Sequence, residues 1–204
     1  MGRELALGAE AASRVPKEFL AQIPLHGNPP TLIMSLTMYI DRLAQKNEDG
    51  IGADAAMGMQ DQLTFNSGGA NSSSSSQFLK DRKLGNAYLR TLYPSLRRHY
   101  LWFRSTQKGE LKEWDRSATA RGEAYRWRGR SKDGHVFASG LDDYPRAKIA
   151  HSGELHLDLH CWMGFFAETM VKIAEAVGED DDMEEYERHH IGIVANLDGE
   201  LASC

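Results

Sequence analysis

Two runs decide how this chain is read: Ser139-Gly140-Leu141-Asp142-Asp143-Tyr144-Pro145-Arg146, and Glu154-Leu155-His156-Leu157-Asp158-Leu159-His160-Cys161-Trp162. Gly140 and Pro145 punctuate the first run, which reads as a loop. Gly153 precedes the second, and spacing predicts a long helix over Glu154 to Val177. Leu159, Trp162, Met163, Phe166, Met170, Ile173 and Val177 fall on its buried stripe, and Gly178 is placed to cap it. Glu154 and Asp158 are then i, i+4, one turn apart on one face. Loop carboxylates Asp142 and Asp143 beside two helical ones can hold one group protonated and another ionised. Acid–base chemistry on a polar substrate is the first functional class this suggests. The blander alternative makes Asp142-Asp143 an ordinary turn and places Glu154 and Asp158 where a helix N-terminus favours negative charge.

Outward from that stretch the periodicity is mostly helical. Glu4 to Arg14 is rich in Ala and Leu and reads as a short helix stopped by Pro16. Asn28 offers an N-cap with Pro29 at the first helical position, followed by Leu32, Ile33, Leu36, Tyr39, Ile40 and Leu43 at helical spacing. Residues 46–77 lack any period and end in the serines Ser72 to Ser76, so a disordered surface insert is expected there. Asn71-Ser72-Ser73 within it is a glycosylation sequon, usable only in a lumenal chain. Leu84, Tyr88, Leu89 and Leu92 predict a helix interrupted by Pro94, and Leu96, Tyr100 and Phe103 predict another over Ser95 to Arg104. The alternation at Tyr125-Arg126-Trp127-Arg128, a turn at Lys132-Asp133-Gly134-His135, and Val136-Phe137-Ala138 predict a small β-hairpin leading into the loop. Glu179 to Glu187 is an acidic run read as a solvated loop, and Glu184 to Val194 reads as a further helix.

Composition narrows the class. The chain has 204 residues, 41% hydrophobic and 26% charged, enough for one domain with a substantial core. A net charge of −5 offers no basic excess for phosphates, so nucleic acid is not expected as a partner. No apolar run reaches membrane-spanning length. Two cysteines, Cys161 and Cys204, make no disulfide framework, and Cys161 is expected to be buried as a small hydrophobe. His156 and His160 are also i, i+4, but no third ligand accompanies them, so neither a metal nor a cofactor is expected. Trp127 among Arg126, Arg128 and Arg130 suits a sugar, whose apolar face a ring covers and whose hydroxyls a guanidinium reaches. Packing of Trp127 inside the hairpin is an equal alternative.

The two opening runs together resemble the processing α-glucosidase I family, the mannosyl-oligosaccharide glucosidases of glycoside hydrolase family 63. The resemblance extends to Arg3-Glu4, Leu7 to Ala11, Ser13 to Pro16, Asn28 to Leu32, Trp102 to Arg104, Thr106 to Gly109 and Tyr125 to Arg130. It is weakest over 46–77 and after Asn196. The resemblance implies a mainly α fold, part of an (α/α) toroid (a six-hairpin glycosidase barrel), with 1–204 as a partial catalytic domain. It implies an inverting exo-α-glucosidase that removes the terminal α-1,2-linked glucose of the N-glycan precursor. Asp142 matches the family's general acid, with a pKa raised by its carboxylate neighbours and opposed by Arg146. Glu154 and Asp158 fall on its glucose-binding carboxylates, and Trp127, Arg128, Asp143 and Tyr144 complete the expected substrate-binding set. The family's general base lies downstream of this chain. The family also implies the endoplasmic reticulum lumen, with a membrane anchor outside these residues. Two other readings stand beside it: an inactive or glycan-binding remnant that lacks the base, and a related toroid hydrolase acting on other α-glucosides.

Overall fold

The computed structural model describes residues 8–15, 23–45, 77–129, 135–141, 146 and 148–198. They are mainly helical: α1 (Ala9–Arg14), α2 (Leu32–Gln45), α3 (Gln77–Lys80), α4 (Arg82–Thr106), α5 (Leu157–Val177) and α6 (Asp180–Asp198), with single 3-10 turns between α4 and α5. α5 lies at the centre, packed against α2, α4 and α6. Its Leu159, Met163, Phe166, Met170 and Ile173 are fully buried, so the predicted stripe is the real one apart from half-buried Trp162. Gly178 ends the helix in the left-handed region, at φ 78°, and its N–H reaches the carbonyls of Ala174 and Glu175. Only Gly178 and Glu179 separate the two helices, so α6 turns straight back along α5 as a helical hairpin.

Several boundaries differ from the sequence expectation for identifiable reasons. α2 begins at Leu32, not at Pro29. A residue that precedes proline is pushed out of the helical region, so Pro29, followed by Pro30, cannot open the helix. α4 runs unbroken through Pro94. Leu89, Tyr93, Leu96, Tyr100 and Phe103 follow at steps of four and three, forming one stripe that faces Phe166 and the rest of the core. Tertiary packing along that stripe outweighs the single hydrogen bond that Pro94 removes. The acidic run is not a loop: Asp180, Asp181 and Asp182 form the first turn of α6, where the helix dipole favours them. Asp182 also takes a bidentate pair from Arg97 at 2.8 and 3.0 Å, which ties α6 to α4. Cys161, expected inside, is exposed, because α5 turns its 161 position away from the core.

The β-hairpin is absent from the described residues. Tyr125 makes an isolated antiparallel bridge with Lys108, and Val136 leads into the 3-10 turn Phe137–Ser139. The expected turn residues 132–134 lie outside the described residues, as does the proposed insert apart from Gln77, with its sequon. No helix among the described residues is long and apolar enough to cross a membrane.

Candidate active site

The chain between α4 and α5 is irregular, and its backbone amides are satisfied by side chains. Over 125–128 the donors alternate sides, as period-two extended backbone must. The Tyr125 N–H donates to His160 Nε2 at 3.2 Å, and the Trp127 N–H to His156 Nδ1 at 2.9 Å. On the other side, the Arg126 N–H donates to the Gln107 carbonyl at 2.8 Å, and the Arg128 N–H to Gln107 Oε1 at 3.0 Å. The histidines one turn apart thus act as a substitute strand edge. His160 accepts at Nε2, so its proton sits on Nδ1 and donates to the His156 carbonyl at 3.1 Å. Burial holds the His160 imidazole below its ordinary pKa, which keeps that acceptor neutral.

Asp158, in the first turn of α5, is where three segments meet. Arg146 donates to both of its oxygens, Nη1 to Oδ1 at 2.8 Å and Nη2 to Oδ2 at 3.0 Å. The Trp127 indole N–H adds a third bond, to Oδ2 at 2.8 Å. The pair is buried, with 4% of the Arg146 side chain and 9% of the Asp158 side chain exposed. Burial alone would raise the Asp158 pKa, but the Arg146 and Trp127 hydrogen bonds outweigh it and hold the carboxyl below its ordinary range.

Glu154 lies before α5, not on it, so Glu154 and Asp158 do not share a helical face. His156 between them is the non-helical N-cap, with φ −114° and ψ 113°. The physical reason is the backbone bond from the His156 N–H to the Tyr125 carbonyl at 3.0 Å, which keeps 154–156 extended alongside 125. Glu154 is buried, and its Oε2 stands 3.6 Å from His156 Nε2.

The remaining expected site residues divide. Trp127 has no exposed surface, and its ring packs edge-on to Phe103. That is the packing alternative, with the indole N–H turned to Asp158. Arg128 donates through Nε to the Thr106 carbonyl at 2.7 Å and through Nη2 to the Lys108 carbonyl at 3.1 Å, which closes the C-terminal end of α4. Asp142, Asp143 and Tyr144 lie outside the described residues. The structure therefore brings together Trp127, Asp158 and Glu154, with Arg146 and His156, while Arg128 serves the neighbouring helix end.

Sequence reasoning gave no positive role to His156, His160 and Gln107, and treated Arg146 only as a perturbing charge. A usable signal was present for the histidines: two acceptors one helical turn apart match the spacing of alternate amides on an extended segment. No group of three or more His, Cys, Asp or Glu side chains among the described residues is arranged to hold a metal ion. Behind the strip, Glu123 is buried, bonded by Arg104 at 2.6 Å and by the Tyr125 hydroxyl. Asn196 of α6 seats the turn before it, accepting from the Ala120 N–H at 2.8 Å and donating to the Ala120 and Glu123 carbonyls.

Two buried carboxylates stand near the head of the core helix, Asp158 gripped by Arg146 and Trp127 and Glu154 beside His156, which suits a site for a polar substrate. The comparisons with known proteins define the class. The glycosyl hydrolase family 63 C-terminal domain matches residues 1–201, and the chain belongs to that family. It is 41% identical, over 97% of its length, to a probable mannosyl-oligosaccharide glucosidase of Schizosaccharomyces pombe. It is 34% identical over the same share to a mannosyl-oligosaccharide glucosidase of Saccharomyces cerevisiae. It is 30% identical, over 88% of its length, to an alpha-glucosidase 2 of Arabidopsis thaliana. The chain spans 24% of each yeast relative and 18% of the plant one.

Proposed function

We propose that this chain is the acid-bearing part of a glycosidase that releases the terminal α-1,2-linked glucose from a glucosylated N-glycan precursor with inversion. The observation that carries the reading is the match of nearly the whole chain to family 63, together with the buried Glu154 and Asp158 at the head of its central helix. Asp142 is the general acid, protonating the leaving oxygen. Inversion needs a second carboxyl group about 6.5–9.5 Å from the acid to activate water, and the resemblance to the family places that base in sequence outside this chain. Asp143, Tyr144 and Glu154 serve the glucose subsite. The described helices form one arc of an (α/α) toroid, and the α5–α6 hairpin supports that geometry because such rings are built from paired helices. The endoplasmic reticulum lumen is the compartment that this substrate requires.

The test is glucose release from a triglucosylated N-glycan by the protein that contains this chain, with Asp142→Asn as the variant. Turnover should be abolished while the glycan still binds. Near-normal turnover would remove Asp142 from the mechanism. Release by the 204-residue chain alone would place the base within it.

A further inference from the structure

We propose that Trp114 is a stacking platform for a pyranose unit of the glycan outside the disaccharide whose linkage is cleaved. Of the four tryptophans, Trp127 is buried and Trp102 and Trp162 are half-buried, whereas Trp114 is 48% exposed. It is nevertheless held in place. Its indole N–H donates to Ser152 Oγ at 2.7 Å, and its ring lies against the His151 imidazole, with centroids 4.2 Å apart and planes inclined by 30°. Gly153 passes so close that a Cβ there would stand 2.5 Å from Trp114 Cγ, so glycine is what lets the indole reach this chain. A fixed, half-open aromatic ring leaves apolar area in water. A ligand with an apolar face covers that area, and the fixed ring loses little freedom on binding. The border of the ring is polar. The Ser152 hydroxyl holds the Glu110 carboxyl below its ordinary pKa, and Arg126 and Arg128 add to the effect. Glu110 is 40% exposed, and the two guanidiniums approach its Oε1 at 3.7 and 3.6 Å. An apolar ring edged by an ionised acceptor suits a pyranose, whose C–H face is apolar and whose rim carries hydroxyl groups. Charged groups beside the ring are what the core of a protein interface lacks. Ser152 and Gly153 run directly into Glu154, so the platform adjoins the proposed glucose subsite along the chain.

This inference rests on the reading of the substrate as an N-glycan, and its experiment separates the two. In the protein containing this chain, Trp114→Ala should raise KM for the triglucosylated N-glycan about tenfold, the size of one aromatic stacking contact. An α-1,2-linked glucose disaccharide does not extend to the platform. The preference for glycan over disaccharide in kcat/KM should therefore fall by about the same factor. Trp114→Tyr keeps an aromatic face and should recover most of the loss. Lower stability in Trp114→Ala with the preference unchanged would mean that other parts of the protein cover the ring, and would overturn the proposal. Equal losses on the two substrates would also overturn it, since the ring would then act at the cleaved linkage. Binding of the same glycan without its terminal glucose, measured by calorimetry, requires no turnover. Binding about tenfold weaker in Trp114→Ala than in the wild type keeps the platform even if the protein releases no glucose, in which case the proposed reaction alone fails. No binding to the wild type, or equal affinity in the two proteins, overturns the platform. Should Trp114→Ala not fold, Ser152→Ala leaves the ring without its hydrogen bond. It should lower the glycan preference by a smaller factor, and an unchanged preference would again overturn the proposal.

Discussion

The helices α2, α4, α5 and α6 and the irregular strip between α4 and α5 are stabilised by opposite means. The helices satisfy their own amides within each turn, and what joins them is mainly apolar area, with Phe166, Tyr100 and Phe103 in edge-on contact, supplemented by side-chain links such as Arg97–Asp182. The strip buries Tyr125 and Trp127 but has no ladder of its own, and every amide from 125 to 128 is answered by another segment. Apolar packing tolerates a shift of the neighbour; a buried amide with one acceptor does not. The helical part is therefore a frame, and the strip is where small changes alter geometry.

The largest effect should come from the frame. Phe166→Ala empties a fully buried position that touches Tyr100 and Phe103 of α4 and should destabilise the fold by about 3–5 kcal/mol, read by urea denaturation. A loss below 1 kcal/mol would mean that the site collapses freely and is no frame. Gln107→Ala should have a smaller but more local effect. Gln107 is fully buried; its Nε2 donates to the Leu25 carbonyl at 2.8 Å while its Oε1 accepts from the Arg128 N–H. Truncation orphans both partners, at about 1–3 kcal/mol. Amide exchange should accelerate at Arg128 and leave the α5 amides protected. Uniform acceleration throughout would erase the distinction between strip and frame.

That distinction also explains what could be read from the sequence. The α5 stripe, the Gly178 cap and the helical character of 82–106 follow from local periodicity, which is written in neighbouring residues. The break expected at Pro94 failed because propensity is local while the stripe from Leu89 to Phe103 is continuous. The alternation at 125–128 was legible as extended backbone. Its partner was not, because the acceptors sit 29 and 35 residues away on a helix end and present no strand pattern. The Asn196 link spans 76 residues and offered no motif at all. Around the head of α5, Glu154 and Asp158 stood out by residue type, the expectation of one shared helical face failed because the helix starts at Leu157, and the Arg146–Asp158–Trp127 contact needed coordinates, since nothing in a run of residues tells which of several arginines meets a carboxylate.

The third effect is pH dependence, to which histidines of both regions contribute. Burial holds His99, His160 and His189 below their ordinary pKa. Below pH about 6.5 the unfolded chain takes up protons that these native imidazoles refuse. Their contribution is thus complete above that pH and is lost as the pH falls toward the native values. Asp158 has the same sign in a different window, since its lowered carboxyl loses its contribution only below pH about 3.9. Between pH 7 and 5 each of these histidines adds a slope of at most about 1.4 kcal/mol per pH unit. His160→Gln places an amide oxygen near the Nε2 position and removes the titration. The stability of this variant should depend less steeply on pH, and an unchanged slope would mean that the imidazole at the strip edge is not held neutral.

The smallest effect should come from Gly178→Ala, at the turn between α5 and α6. A Cβ there meets nothing within 4 Å, so the change adds no clash and removes no contact. What it does add is a side chain at φ 78°, in the left-handed region, which should lower stability by about 1 kcal/mol. The strip and the Arg146–Asp158 pair sit at the opposite end of α5, a helix of 21 residues. If the frame is rigid, the loss stays in global stability, and the KM and kcat of the protein containing the chain are unchanged. A change in kcat without a change in stability would mean that the hairpin moves with the site, and the division between frame and strip would have to be abandoned.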